Sequence, residues 1–217
     1  MNLALSDDQR MIRDAAASFF ADASGSAAVR AAMESTSGFD PKLWQGIGEQ
    51  GWCGVAVPES FGGMGLGPME LVLILEQMGR HLACAPFFGT VALAGNLVLQ
   101  SGSAAAKKKY LPGIASGALR ATAVLDASAV KAKKAKSGWQ LSGKRASVVD
   151  GASAELLLIA GKNGVFAVTA SAKGLKTKTL KTWDATRRLV DLELSNVAAE
   201  RIDDPSKKSG VARALSL

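Results

Sequence analysis

The spacing of apolar residues changes near Arg120, and this change limits the possible folds more than any other feature of the chain. Before it, apolar residues recur at helical spacing, as in the run that begins at Met11. After it, short runs alternate between apolar and polar residues, as in residues 190–194. Several such runs separated by turn signals are typical of a small barrel or sandwich. The sequence predicts an α+β protein: an all-helical N-terminal domain over residues 1–119, then a small antiparallel β domain over residues 120–203.

Capping signals and prolines mark the helices of the first half. Ser6, followed by Gln9, forms a capping-box pattern, and Asp40 before Pro41 starts a second helix in the same half. The helix that Pro68 opens carries apolar residues on nearly every side, which predicts burial all round. Further helices are predicted over residues 22–38 (a looser one), 90–100 and 104–110, the last of them ending before the Pro-Gly sequence at residues 112–113.

Positive charge is concentrated in the second half. The net charge of the whole chain is +7. Residues 1–119 contain 8 Lys/Arg and 10 Asp/Glu, whereas residues 120–217 contain 18 Lys/Arg and 9 Asp/Glu. This break suggests a domain boundary near Leu119. The lysine-rich run at residues 130–138 is interpreted as a solvated hairpin edge, where lysine discourages edge-to-edge pairing. A nucleic-acid patch is the alternative, but Trp139 is the one aromatic nearby that could stack on a base.

Cysteine usage and the N-terminus exclude several protein classes. Cys53 and Cys84 stand in unrelated contexts, which favours two small buried side chains over a disulfide framework or a metal site. The N-terminus lacks the basic and apolar blocks of a signal peptide. No apolar run approaches the length that spans a bilayer. We therefore expect a cytoplasmic protein without a metal or a membrane segment.

Residues 44–66, WQGIGEQGWCGVAVPESFGGMGL, combine tryptophans, a Val-Pro-Glu sequence and closely spaced glycines. Glycine is costly in backbone entropy, so this density suits a loop that approaches a ligand or another segment closely, or else a flexible surface loop. The order of these pieces resembles the N-terminal domain of the acyl-CoA dehydrogenase family. The resemblance extends to ELVLILEQMGRHL, KKKYLPGIASG and WDATRRLVDLELSNVAAERI, and so to essentially the whole chain.

The resemblance implies an enzyme that oxidises the α–β bond of an acyl-CoA thioester and passes hydride to FAD. Members of the family have a helical domain, a middle β domain and a C-terminal four-helix bundle, which contains the catalytic glutamate and an arginine that holds the FAD pyrophosphate. Residues 204–217 resemble a linker and the start of a truncated bundle helix, so no catalytic residue is assigned here. His81 is expected to end a helix, and Asp184 to pair with Arg187 or Arg188 and turn the chain.

The flavin segments of the family differ in this sequence. Leu125 and Asp126 stand where the family has Thr-Glu, and no Gly-Ser-Asp turn follows. Ser147 replaces an aromatic ring over the flavin, and Val149 replaces a hydroxyl residue. The backbone N–H groups of Val148 and Val149 are still expected to bind the ring. The resemblance therefore implies FAD binding that is weak or depends on a partner.

By resemblance, Gly62, Gly63 and Asp126 are expected to contact an acyl-CoA substrate, from fatty acid or sterol side-chain metabolism. We expect a homo- or hetero-oligomer with a bundle-containing subunit, and electron-transfer flavoprotein as the acceptor. Without that bundle, the Pro68 helix is expected to expose apolar surface. A non-catalytic scaffold subunit is the alternative function. A third hypothesis, a nucleic-acid-binding module, rests on the positive charge of the chain alone.

Overall fold

Helices and strands occupy separate halves of the chain in the computed structural model, which describes residues 4–206. The helices are α1 (Asp7–Ala23), α2 (Ser26–Glu34), α3 (Pro41–Glu49), α4 (Pro68–Arg80), a π-helix (Phe88–Gly95) that continues into α5 (Asn96–Ser101), and α6 (Ala104–Ala115). The strands are β1 (Ala121–Val124), β2 (Val130–Lys134), β3 (Trp139–Val149), β4 (Leu156–Gly161), β5 (Gly164–Thr169), β6 (Leu175–Thr179) and β7 (Leu189–Arg201). The α+β class is confirmed. The expected start of a bundle helix falls in residues 207–217, outside the described part.

The predicted capping residues begin their helices. The Ser6 hydroxyl accepts the N–H of Gln9 at 3.1 Å, and the Gln9 side chain accepts the N–H of Ser6 at the same distance. The Asp40 carboxylate accepts the N–H of Lys42 at 2.8 Å, directly before the first turn of α3. These bonds satisfy N–H groups that a helix start would otherwise leave without a partner.

Helix α6 continues beyond the predicted end at Tyr110 and passes through Pro112 to Ala115. A proline inside a helix removes one hydrogen bond and costs about 3 kcal/mol. Leu111 and Ile114 lie beyond that predicted end and are fully buried, and burying such a side chain contributes about 1.5–3 kcal/mol. Burial of the two side chains offsets the proline, so the prediction of a helix end at Tyr110 is wrong.

Helix α4 is buried on one face only. Leu73, Ile74 and Met78 are buried, whereas Met69 and Val72 each expose 50% of their surface. Helix α1 packs against α4 on one side, and an open apolar cavity borders the other. The prediction that this helix is buried on all sides is therefore wrong. The exposed apolar surface that was also expected is present on it.

The strands form one sheet in the order β1-β4-β5-β7-β3-β2, and β6 also pairs with β7. All these pairs are antiparallel except β1 with β4, which is parallel. The sheet is therefore mixed, whereas the sequence predicted a purely antiparallel one. Strand β1 arrives from the helical half without a hairpin, so no tight turn forces it to run antiparallel. The turn predicted at Asn163-Gly164 joins β4 to β5.

Strand β4 is buried on both faces. Leu156 and Leu158 pack in a core with residues of α5 and α6, whereas Leu157 and Ile159 pack in a second core inside the β domain. Successive side chains of a strand point to opposite faces, so one apolar run serves both cores. The helical half is therefore joined to the sheet through a shared core.

The lysine-rich run forms an exposed edge. Strand β2 lies at the end of the sheet and pairs with β3 in a hairpin. Lys131, Lys133 and Lys134 are exposed along it, and Lys136 is exposed in the connecting turn. The interpretation as a solvated hairpin edge is confirmed.

Asp203 ties β5 to the end of β7. Its carboxylate accepts the N–H of Val165 at 3.0 Å and binds the Arg201 guanidinium through both oxygens, at 2.8 and 2.9 Å. Burial raises the pKa of Asp203, but the bonds from Arg201 and Val165 outweigh it and hold that pKa below its ordinary value. The stability that Asp203 contributes is therefore present above its unfolded-state pKa of about 4 and is lost as the pH falls through the lower, folded pKa.

We expect Asp203→Asn to lower the free energy of unfolding at pH 7 by about 1.5–3 kcal/mol, because charge-assisted bonds are lost. The difference from wild type should shrink below about pH 4. Urea unfolding at pH 7 and pH 3 measures both values. Glu34→Gln, on the exposed end of α2, is the control and should change stability by less than about 0.5 kcal/mol. If Asp203→Asn lowered the free energy of unfolding equally at both pH values, the stabilising role of the Asp203 charge would be contradicted.

Candidate functional site

Leu125 and Asp126 directly follow β1, whose four residues are buried. Leu125 is half-buried, whereas Asp126 is exposed and accepts the N–H of Ser128 at 3.1 Å. The bonds from Ser128 and the guanidinium of Arg145, 3.9 Å away, hold the pKa of Asp126 below its ordinary value. At neutral pH Asp126 is thus an anion with little tendency to take up a proton.

Residues 147–149 end β3 in an irregular conformation. The pairing of β3 with β7 shifts register between Arg145 and Val148, as in a β-bulge. Ser147 has a φ of 57°, a left-handed backbone that is uncommon for a non-glycine residue. Its N–H donates to the Asp191 carboxylate at 3.1 Å, which stabilises the bulge.

The strand ladder determines which backbone N–H groups can reach a ligand. The N–H of Asp150 donates to the carbonyl of Arg188 at 2.9 Å, so Val149 lies in the adjacent non-hydrogen-bonded pair and its N–H and C=O point away from β7. The Val149 carbonyl accordingly accepts the hydroxyl of Thr122 at 2.8 Å. By the same alternation the N–H of Val148 points into the ladder. Val149 is therefore the better donor of the two predicted.

A cavity of about 270 Å³ brings both segments together. Leu93 of the π-helix and Arg145 of β3 also line it, and neither was predicted from the sequence. A pattern of apolar residues in a buried helix does not distinguish a cavity wall from a core position. The residues predicted to hold a flavin all line this cavity, hereafter the flavin cavity: Leu125, Asp126, Ser147, Val148 and Val149.

Two further cavities meet the flavin cavity at Leu125. An apolar cavity of about 380 Å³ lies between α4 and the helix formed by the π-helix and α5, and it shares Leu93 and Leu125 with the flavin cavity. A polar cleft of about 570 Å³ shares Leu125 and Asp126 with it and is also lined by Lys162 and Arg201. Leu125 therefore borders all three.

Gly62 and Gly63 lie in the loop before α4, and neither lines these three cavities. Gly63 packs directly against the backbone of Gly54 and Val57, which leaves no room for a side chain. Gly62 has a φ of 82°, which favours glycine. Both glycines thus have a structural reason to be present, and their contact with a substrate stays a prediction.

Arg187 and Arg188 do not form the expected pair with Asp184. The carboxylate of Asp184 accepts hydrogen bonds from Thr186. Arg187 lies 3.6 Å from the carboxylate of Asp150. Arg188 donates to the backbone carbonyls of Met33 and Ser35 at the end of α2. The predicted ion pair of Asp184 is wrong, because Asp150 and the helical half offer better-placed acceptors. The bonds from Thr186 to Asp184 are of the kind that turns a chain locally, which agrees with the other part of the prediction. His81 ends α4, as predicted.

The described residues offer little for other kinds of chemistry. Residues 4–206 contain no group of three His, Cys, Asp or Glu side chains placed to hold a metal ion. Within the same range, no helix is both long and apolar enough to cross a membrane. Cys53 and Cys84 are free and buried, and burial raises the pKa of Cys53 to about 12, so its reactive thiolate form is suppressed.

Comparison with known proteins identifies the fold. A family model described as acyl-CoA dehydrogenase, N-terminal domain, matches residues 6–118, more than half of the chain. The chain belongs to the acyl-CoA dehydrogenase family. The mitochondrial isovaleryl-CoA dehydrogenase of Pongo abelii is 29% identical over 178 residues, 77% of this chain and 42% of that protein. Acyl-CoA dehydrogenase IpdE2 of Mycobacterium tuberculosis is 36% identical over 115 residues, 52% of this chain and 36% of that protein.

Solved acyl-CoA dehydrogenase structures share the fold. The Tcur3481-Tcur3483 steroid ACAD G363A variant matches 96% of this chain and 60% of its own chain, with a TM-score of 0.85 and 31% identity. The match to the ChsE4-ChsE5 complex from Mycobacterium tuberculosis covers 98% of this chain and 61% of that chain, with a TM-score of 0.88 and 24% identity. The chain spans less than half the length of the two curated relatives.

Proposed function

We propose that the chain supplies one part of the active site of a FAD-dependent acyl-CoA dehydrogenase and that a four-helix bundle, in a further domain or in another subunit, completes it. FAD, when bound, accepts hydride from the β-carbon of the acyl-CoA. By family resemblance, the glutamate that removes the α-proton and the arginine that binds the FAD pyrophosphate come from that bundle. The division into a helical domain (1–119), a β domain (120–203) and a linker with the start of a bundle helix (204–217) is part of this proposal.

The meeting of three cavities at Leu125 carries the proposal. An acyl-CoA has an apolar chain and a polar, anionic CoA part, joined at the thioester. The apolar cavity suits the chain, and the larger, polar cleft suits the CoA part, to whose phosphates Lys162 offers a positive charge. Arg201 is already bound by Asp203 in this cleft. Two further carboxylates also line it, those of Asp126 and Asp204. The bond to be oxidised lies next to the thioester, so the flavin must reach the point where chain and CoA part join. Leu125 marks that point.

The flavin cavity fits an isoalloxazine ring in part. Leu93, Leu125 and Val148 offer apolar walls, and the N–H of Val149 is directed away from the ladder. The hydroxyls that relatives place at Leu125 and Val149 are missing, and each such bond is worth about 0.5–1.5 kcal/mol. We therefore infer FAD binding that is weak or depends on the partner.

The need for this bundle is inferred from two properties of the described residues. Asp126 is the single carboxylate that lines the flavin cavity, and its low pKa makes it a poor base at neutral pH. The exposed side of α4, with Met69 and Val72, is an apolar surface of the kind that marks partner contacts. Both properties favour a bundle that supplies the base and covers α4, and we propose an oligomer with a bundle-containing subunit as one such arrangement.

The class of substrate and the electron acceptor are proposed from relatives. One solved relative is described as a steroid ACAD, and an apolar cavity of about 380 Å³ is compatible with a bulky acyl group. We propose acyl-CoA thioesters of fatty acids or sterol side chains as substrates, with Gly62, Gly63 and Asp126 near them. Electron-transfer flavoprotein is the proposed acceptor and the cytoplasm the proposed location.

A reconstitution assay tests the function. We expect the purified chain to show no turnover of several acyl-CoAs with an artificial electron acceptor, and to show turnover once a bundle-containing acyl-CoA dehydrogenase subunit from the same genome is added. Leu125→Lys should lower the reconstituted turnover at least about tenfold, because it introduces a charge where the three cavities meet. Leu82→Lys, at an exposed position, is the matched control. Turnover by the chain alone, at the rate of an intact relative, would refute the proposal.

The alternative, a scaffold subunit without a flavin, is favoured by the replacements at Leu125, Ser147 and Val149. The same assay separates the two functions. A scaffold would be required for assembly with the partner, yet Leu125→Lys would leave the turnover of the assembled enzyme unchanged.

A further inference from the structure

A pair formed by the buried Asp150 and the half-buried Arg187 joins two walls of the flavin cavity. Asp150, which is 6% exposed, directly follows Val149, and its carboxylate accepts the N–H of Gly89 in the π-helix at 2.9 Å. The same oxygen lies 3.6 Å from the Arg187 guanidinium. That guanidinium also lies over the ring of Phe88, 5.6 Å from its centroid. Asp150 and Arg187 thus both connect the end of β3 with the start of the π-helix.

The approach at Gly89 leaves no space for a side chain. A Cβ at this position would lie 2.9 Å from the Cβ of Asp150 and 3.0 Å from the hydroxyl oxygen of Thr122. Within the described residues, the buried Nη1 of Arg187 has no hydrogen-bond partner. Charge attraction and the contact with Phe88 therefore hold Arg187 in place. Leu93, about one turn after Gly89, lines both the flavin and the apolar cavity.

We propose that Asp150 is a positioning residue, whose carboxylate fixes the π-helix against the end of β3 and so sets the separation of Leu93 and Val149 across the flavin cavity. The identity of the ligand rests on the proposed function. The contact of Asp150 with Gly89, hereafter the clamp, does not. Burial raises the pKa of Asp150 against the opposite effects of Arg187 and the Gly89 N–H. An apolar side chain would avoid that desolvation but would leave the Gly89 N–H without its acceptor.

Amide hydrogen exchange of the full chain tests the clamp. We expect Asp150→Ala to accelerate exchange of the Gly89 amide and of residues 147–150 about tenfold or more, with α1 unchanged, because local opening is then easier. Asp150→Asn retains an acceptor oxygen and should stay nearer to wild type. Gly89→Ala separates the walls without altering a charge and should mimic Asp150→Ala in residues 147–150. Gly79→Ala, where an added Cβ meets nothing within 4 Å, is the control.

FAD titration, followed by flavin fluorescence, supplies the second measurement. Asp150→Ala should weaken FAD binding about fivefold, since part of the wall contact is lost. Unchanged local exchange, or equal acceleration over the whole chain, in both Asp150→Ala and Gly89→Ala would overturn the clamp. Faster local exchange with unaltered FAD affinity would overturn its role in positioning the cavity. If the wild-type chain alone binds no FAD, as the proposed dependence on a partner allows, the titration is made on the assembled enzyme, and exchange in the full chain still decides the clamp.

Discussion

Gly63→Ala is expected to lower the free energy of unfolding by about 3 kcal/mol, at the upper end of the overpacking range. The new Cβ would overlap the carbonyl oxygen of Val57 and lie 2.6 Å from that of Gly54. Both oxygens already accept hydrogen bonds: that of Val57 from the N–H of Gly65 at 2.8 Å, and that of Gly54 from the N–H of Met64 at 2.9 Å. The loop cannot move away without breaking these bonds.

Two other glycines provide matched controls for this prediction. An added Cβ at Gly62 or Gly79 meets nothing within 4 Å. Gly62→Ala should still cost about 1 kcal/mol, because its φ is 82°. Gly79→Ala, inside α4, should stabilise by about 0.5–1 kcal/mol. Urea unfolding measures all three, and equal losses for Gly62→Ala and Gly63→Ala would show that overpacking is not the cause.

The double variant Leu125→Thr/Val149→Thr is expected to bind FAD about 5- to 150-fold more tightly than wild type. Each new hydroxyl can donate to the flavin, and two such bonds contribute about 1–3 kcal/mol together. Both positions line the flavin cavity and are half-buried. Leu125 also packs against the core shared by α5, α6 and β4, so its replacement costs some stability as well. FAD titration of the isolated chain, followed by flavin fluorescence, gives the ratio of dissociation constants.

The control for this variant is Val72→Thr, the same chemical change on the exposed side of α4. Its FAD affinity should equal that of wild type. Ser147→Trp is tested separately, because the φ of 57° at this position strains a large side chain. An unchanged affinity in the double variant would mean that these side chains do not face the flavin, and would favour the scaffold function.

Local chemistry made the helix starts and the hairpin predictable. Ser6 and Asp40 cap their helices through bonds within three residues, and the turn at Asn163-Gly164 is equally local. The length of α6 was not predictable in this way. The burial of Ile114 against β4, which offsets Pro112, depends on a strand far along the chain. Local signals were sufficient wherever the stabilising contact was local.

The candidate site was predictable from the sequence only where the family resemblance supplied positions. Leu125 and residues 147–149 line one cavity, although nothing in their spacing indicates that β1 and β3 end side by side. Leu93 and the contact of Gly89 with Asp150 were missed, because both arise when the π-helix packs on the sheet. Single-sequence patterns do not record such approaches between distant segments.

The double-sided burial of β4 has a consequence for synthesis in the cell. Leu111 and Ile114 leave the ribosome well before residues 156–161, which complete the core that they share. At about 5–20 residues per second, the apolar side of the new helices stays uncovered for several seconds. Premature association with other nascent chains is favoured during that interval. Expression of the first 119 residues alone would make the interval permanent, so we expect that fragment to require a chaperone or to aggregate, however well its helices form.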